Sequence, residues 1–183
     1  MSDLRVALLR GINVGKAKRI AMAELRALVE SLGYGDVRTL LNSGNVVFSA
    51  PKRVDDEGAA ERIELAIEDT LGITSRVTVL GASAFAAVVH ENPLVAVATE
   101  PSRLMVSVFR TAAERVRLLP LTTTEWAPDQ LALGSRAAYL WCPSGILESR
   151  LSTALVRILG DSVTTRNWST VSKLWALVGT PDH

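Results

Sequence analysis

The chain of 183 residues is 48% hydrophobic, and its twenty Lys and Arg balance nineteen Asp and Glu to a formal net charge of +1. This is ample apolar material for a buried core, and it leaves no global field that would favour nucleic acid or an anionic membrane. A single cysteine, Cys142, and two histidines, His90 and His183, exclude an internal disulfide, a site needing two thiolates and a multi-histidine metal centre.

Leu4, Val6 and Leu8 alternate with Arg5 and Ala7, the period of a strand, and Arg10-Gly11 ends it. Met22, Leu25, Leu28, Val29 and Leu32 then recur at helical spacing, with Gly33 as the stop. Val37 to Leu41 and Val46 to Phe48 read as two strands joined through Asn42-Ser43-Gly44-Asn45, whose Gly and Asn residues tolerate positive φ. Asp55 and Asp56 are placed to cap a second helix with Ala60, Ile63, Ile67 and Leu71 inward and Gly72 at its end. A strand from Arg76 to Leu80 and a helix from Ser83, with Phe85, Val88 and Val89 inward, bring the chain to Asn92-Pro93.

The same order then starts again. Leu104, Val106, Val108 and Arg110 fall one hundred positions after Leu4, Val6, Leu8 and Arg10. A helix over 112–119, a hairpin around Gly134-Ser135, and a helix with Leu147, Leu151, Leu155, Ile158 and Leu159 inward follow, and Leu159-Gly160 stands where Leu71-Gly72 stood. Ser162 to Thr165 reads as the last strand, and Val171, Leu174, Trp175 and Val178 line the last helix.

The expected fold is therefore α+β: duplicated βαββαβα units with ferredoxin-like antiparallel sheets covered by helices. The expected domains are 1–92 and 102–183, with 93–101 as the linker and a cleft between the two halves. No apolar run approaches the ~20 residues of a membrane helix, and the short segment before Arg10 does not make a secretory leader. A cytoplasmic protein without a membrane partner is the expectation.

Three polar phrases interrupt this plan: Arg10-Gly11-Ile12-Asn13-Val14-Gly15, Asn42-Ser43-Gly44-Asn45, and Thr164-Thr165-Arg166-Asn167-Trp168. Each lies where an apolar segment stops, so its groups can face a ligand. In the first, glycines let the backbone turn closely, Asn13 offers donor and acceptor, and Arg10 supplies charge for a phosphate or carboxylate, to which Lys16, Lys18 and Arg19 add. The same residues also suit a plain strand-to-helix turn whose arginine pairs with a neighbouring carboxylate or carbonyl. Three residues between Gly11 and Gly15, and Ala17 after Lys16, do not match a nucleotide-binding P-loop. Asn45 with its neighbours suits a turn with or without a ligand. In the third, Asn167 or Ser169 can cap the last helix, whereas Arg166 at the positive end of a helix needs a partner or a ligand.

No nucleophile is accompanied by a base: Ser43, Ser149 and Cys142 have no motif linking them to His90 or His183. Catalytic residues and cofactors stay unassigned, and no metal is expected. The leading reading is a small anionic ligand, phosphate- or nucleotide-like, held by Arg10, Asn13, Lys16, Asn45, Arg166 and Asn167. One alternative is a module for single-stranded nucleic acid, with Phe48, Tyr139 and Trp141 as strand aromatics. The other is a structural or partner-binding protein whose motifs are fold-defining turns.

With these phrases in place, the chain resembles a bacterial family of unassigned function, domain of unknown function 1697. The resemblance rests on Leu8 to Gly15, on Ser43-Gly44-Asn45-Val46-Val47-Phe48, and on Thr164 to Trp168 followed by Thr170-Val171 and Lys173-Leu174. It implies a duplicated α+β fold and a cytoplasmic bacterial protein, and it supplies no activity. Where the family tends to read Gly-Ile-Gly-Arg-Ser-Lys-Leu, this chain has Gly145-Ile146-Leu147-Glu148-Ser149-Arg150-Leu151. Glu148 puts a carboxylate where the family has a cation, which weakens that helix start as part of an anion site.

Overall fold

The computed structural model describes residues 2–179. Its elements follow the expected order twice. The first run is β1 (Ser2–Leu9), α1 (Met22–Ser31), β2 (Gly35–Leu40), β3 (Asn45–Pro51), α2 (Asp56–Leu71), β4 (Val77–Gly81) and α3 (Ala82–His90). The second is β5 (Leu104–Val108), α4 (Ala112–Leu118), β6 (Gln130–Leu133), β7 (Ala137–Trp141), α5 (Arg150–Leu159), β8 (Thr164–Asn167) and α6 (Trp168–Val178). One four-stranded sheet has the order β2-β3-β1-β4 and the other β6-β7-β5-β8, with every pairing antiparallel. The duplication of βαββαβα is thus present in order, strand adjacency and direction.

Contacts divide the chain into two compact units, one built on residues up to Phe85 together with the segment that starts at Ala176, the other on Ala86–Trp175. The dividing points fall inside α3 and α6. Residues 93–101 are not a featureless connection: Pro93–Ala96 and Pro101–Arg103 form short 3-10 turns, each started by a proline whose fixed φ suits that position.

In the first unit, Ala7, Leu9, Val46, Phe48, Val77 and Val79 form one face of the sheet and pack with Leu25, Val29, Ile63 and Ile67 from α1 and α2. The opposite face, with Val6, Leu8, Val47 and Leu80, is equally buried. This explains why β1 reads as a nearly continuous apolar run between Val6 and Leu9. In the second unit, Phe109, Ala138, Leu140 and Cys142 pack with Leu118, Leu151, Leu155 and Leu159.

Several local expectations are corrected. Only Asp55 caps α2, its carboxylate accepting from Gly58 N at 2.7 Å. Asp56 lies inside the helix and turns instead to the sheet, where Oδ1 accepts from Arg5 Nε at 2.9 Å and Oδ2 from Gly81 N at 2.9 Å. Leu147 is not on the inner face of α5: it sits in a 3-10 turn before the helix and is 94% exposed. Ser149 caps α5 and so starts it after Leu147, accepting from Ser152 N at 2.9 Å. Ser162 lies in a 3-10 turn ahead of β8. Phe48, Tyr139 and Trp141 are buried, so none of these strand aromatics offers an open face on which a base could stack. Both faces of each antiparallel sheet carry apolar side chains, and that leaves no solvent face for them. Val89 and Trp175 are only half-buried, and Trp175 meets the His90 ring edge-on at 5.3 Å between centroids.

Among the described residues no helix is long and apolar enough to cross a membrane.

Candidate functional site

The first two polar phrases come together in the first unit. After β1, the chain runs through Gly11, Asn13, Gly15 and Lys18, all at positive φ between 49° and 67°. Asn13 organises this loop with one side chain. Its Nδ2 donates to Ile20 O at 2.9 Å and to Asn42 O at 2.7 Å, while its Oδ1 accepts from Ile20 N at 2.9 Å. The backbone N–H of Asn13 donates to Lys18 O at 3.0 Å, closing the loop on itself. Asparagine is the non-glycine residue that best tolerates the left-handed region, and its carboxamide supplies both bond senses at once.

The hairpin turn meets this loop through Gly44. Leu9 N donates to Gly44 O at 2.9 Å. Gly44 has φ +83, and a Cβ added there would lie 2.7 Å from Ile12 Cδ1 and 2.8 Å from Leu9 Cβ. Only glycine lets buried Ile12 close over the turn. Of the Gly and Asn residues expected to take positive φ in this turn, Gly44 does so, and Leu41 takes the other such position, while Asn45 is fully buried and extended at the start of β3. Asn45 Nδ2 donates to Leu40 O at 2.7 Å and to Ser43 Oγ at 2.9 Å, which ties off the hairpin.

Arg10 is half-buried, and its backbone joins the segment before β4: its N donates to Arg76 O at 2.8 Å and its O accepts from Ser75 Oγ at 2.8 Å. Lys18 Nζ reaches Thr74 O at 2.8 Å. Lys16 and Arg19 are exposed. Asn13, Arg19, Ile20, Ala21 and Asn42 line a shallow depression of about 230 Å3.

That depression opens at the amino end of α1. The residue before the helix is Ala21, which has no side chain able to cap the first amides; the carboxylate of Glu24, one turn in, accepts from Ala21 N at 3.3 Å. Helix amino ends carry partial positive charge and unsatisfied N–H groups, and the Glu24 carboxylate already engages the Ala21 N–H at this one.

A larger hollow of about 430 Å3 lies elsewhere on the first unit, lined by Glu61, Glu64, Leu65, Glu68, Thr74, Ser75 and Arg76. Three carboxylates against one guanidinium make it unsuited to an anion. The sequence signal for it was the spacing of Glu61, Glu64 and Glu68 along α2, one outward stripe of the helix. Among the described residues no three His, Cys, Asp or Glu side chains are grouped to hold a metal ion.

The third phrase lies in the second unit. Arg166 is in β8 opposite Val106, and Val106 faces Tyr139 on its other side. The corresponding partners of Val6 are Leu80 and Val47, so a guanidinium and a phenol replace two aliphatic side chains at equivalent places. Arg166 is 9% exposed; burial pulls its pKa down to about 10, and its Nη1 donates to Thr165 O at 3.0 Å. Burial also pushes the Tyr139 hydroxyl well up, and that hydroxyl donates to Val88 O at 2.8 Å. Asn167 caps α6, its Oδ1 accepting from Thr170 N at 2.9 Å. Asn167→Ala is expected to lower stability by ~1 kcal/mol in chemical denaturation, the usual effect of removing a helix cap.

Two of the three nucleophile candidates, Cys142 and Ser149, are buried, and Ser43 lies exposed in the hairpin turn. Cys142 is fully buried, and burial raises its pKa, opposite to what a reactive thiolate needs. Ser149 is 3% exposed and donates to Asp129 Oδ2 at 2.8 Å while capping α5. His90 is exposed at the end of α3.

A family model described as "Protein of unknown function (DUF1697)" matches residues 3–139, well over half of the chain. No curated protein matches. Among solved structures, the chain is similar to one described as the conserved bacterial protein SP0830 from Streptococcus pneumoniae. The two share 21% identity at a TM-score of 0.79, over 97% of this chain and 99% of the other. At that identity the likeness establishes the shared fold.

Proposed function

The chain belongs to this family of unknown function, and we propose that it binds a small anionic ligand, phosphate- or carboxylate-bearing, at the amino end of α1. The observation that carries the reading is the depression itself, which joins Arg19 and the Asn13–Asn42 pair to a helix start whose cap residue is alanine. Arg19 supplies a bidentate donor, and Lys16 and Arg10 raise the local positive potential. Asn13 acts by shaping the wall, since its carboxamide already bonds Ile20 and Asn42. Asn45, Arg166 and Asn167 are left out of the proposed ligand shell, because burial or helix capping engages each of them. Reversible binding is proposed, with no reaction attached.

Arg19→Ala tests this in calorimetric titration with inorganic phosphate. Loss of one charge-assisted contact at an exposed site is expected to weaken binding by about five- to tenfold with an unchanged melting temperature. Unchanged affinity in a folded Arg19→Ala protein would remove the proposal.

A further inference from the structure

The second helices of the two runs, α2 and α5, carry opposite charge on their outward faces. On α2 the exposed residues Glu61, Leu65 and Glu68 follow one another at steps of four and three, so they form one stripe on the side away from Ile63 and Ile67. Leu65 is 59% exposed, and all three line the hollow of about 430 Å3 on the first unit. Glu64 in that hollow has Arg76 Nη1 at 4.0 Å and accepts from Val77 N at 2.8 Å. Arg62, the one base on α2, turns away to Leu32 O at 2.9 Å and to the Tyr34 ring. On α5 the exposed residues are Arg150, Thr153 and Arg157, at steps of three and four, on the side away from Leu151, Leu155 and Leu159. Val156, beside Arg157, is 45% exposed.

Followed from its carboxyl end, the α5 stripe has the spacing of the α2 stripe, and each spans about 10 Å of helix. Antiparallel helices laid face to face therefore bring Glu61 to Arg157, Leu65 to Thr153 and Glu68 to Arg150, with Val156 at the edge of Leu65. We propose that the α2 face binds a second copy of this chain, through the outward face of that copy's α5. The charge pairs set orientation and register, and Leu65 supplies the apolar contact at the centre. Like charge disfavours α2 against α2 and α5 against α5, so the contact is head to tail. Two exposed charge pairs around one leucine make it weak and sensitive to salt. It does not depend on anion binding at α1.

Sedimentation of the full chain tests this. At low salt the average mass is expected to rise with protein concentration up to about 1 mM, the range of a weak contact. In about 1 M salt, where the screening length is about 3 Å, it is expected to return to that of a monomer. The double variants Glu61→Arg/Glu68→Arg and Arg150→Glu/Arg157→Glu change exposed side chains only, and each is expected to keep its circular dichroism spectrum and to self-associate at least about tenfold more weakly. Mixed in equal amounts, the two are expected to associate with each other, because α2 of the first meets α5 of the second with the charges exchanged. Leu65→Ser leaves every charge in place and is expected to weaken self-association about threefold or more. An unaltered chain that stays monomeric at low salt overturns the inference, and uptake of hexa-arginine by that monomer would give the α2 face a different occupant. Association that persists in both double variants, or a mixture of them that stays monomeric, also overturns it.

Discussion

Gly44→Ala is expected to lower stability by ~2–5 kcal/mol, the sum of a left-handed alanine at ~1–2 and overpacking at ~1–3 kcal/mol. Both causes are present at one residue: φ +83, and a Cβ position 2.7 Å from Ile12 Cδ1 and 2.8 Å from Leu9 Cβ. Leu9 is in the central strand, so the backbone on that side cannot recede without breaking its pairing with β4. Ile12 is the partner that can move, and its movement opens the loop that carries Asn13. Chemical denaturation would therefore show a large loss of stability, and amide exchange would show added loss of protection over residues 9–20. A substitution within ~0.5 kcal/mol of the unaltered chain, the usual range at an unconstrained surface position, would mean that the loop does not close on the hairpin as described.

Asp56→Ala is the second large effect, at ~2–4 kcal/mol, because removing one member of a buried ion pair strands the other. The Arg5 side chain is 8% exposed and that of Asp56 35%, so the guanidinium is the member that cannot reach water. Arg5 Nη2 also bonds Val54 O, while Nη1 is buried without a partner, so little remains to compensate Nε. Gly81 N loses its acceptor as well. Arg5→Met is expected to be milder than Asp56→Ala, since it leaves a carboxylate that solvent already touches and puts an apolar chain among apolar neighbours. The reverse order of the two substitutions would show that the pair is not controlled by burial of Arg5.

Much of the fold was legible because its punctuation is local. Gly33 and Gly72 stop α1 and α2 with positive φ, Asp55 starts α2, and Leu104, Val106 and Val108 repeat the spacing of β1 one hundred positions later. Most of what was missed depends on residues far apart in the chain. The role of Asp56 is set by Arg5, fifty-one positions away, and nothing near Asp56 distinguishes it from a second capping acid. Leu147 fits a helical stripe by spacing alone, yet Ser149 caps the helix after it and decides the boundary. At the site, the sequence marked the loop and the turn as separate phrases. Their union through Asn13, Asn42 and Gly44 appears only when the chain is folded, and it sets Arg19, one of the basic residues that follow the first phrase, beside Ala21, which no motif had singled out.

The position of a bound anion on the protein is directly measurable. Titration of isotope-labelled protein with inorganic phosphate, followed by backbone amide shifts, should give one saturable set of changes centred on Arg19, Ile20, Ala21 and Met22, with smaller changes at Asn42. Changes scattered over exposed lysines without saturation, or a saturable set elsewhere with residues 19–22 unmoved, would contradict binding at this site.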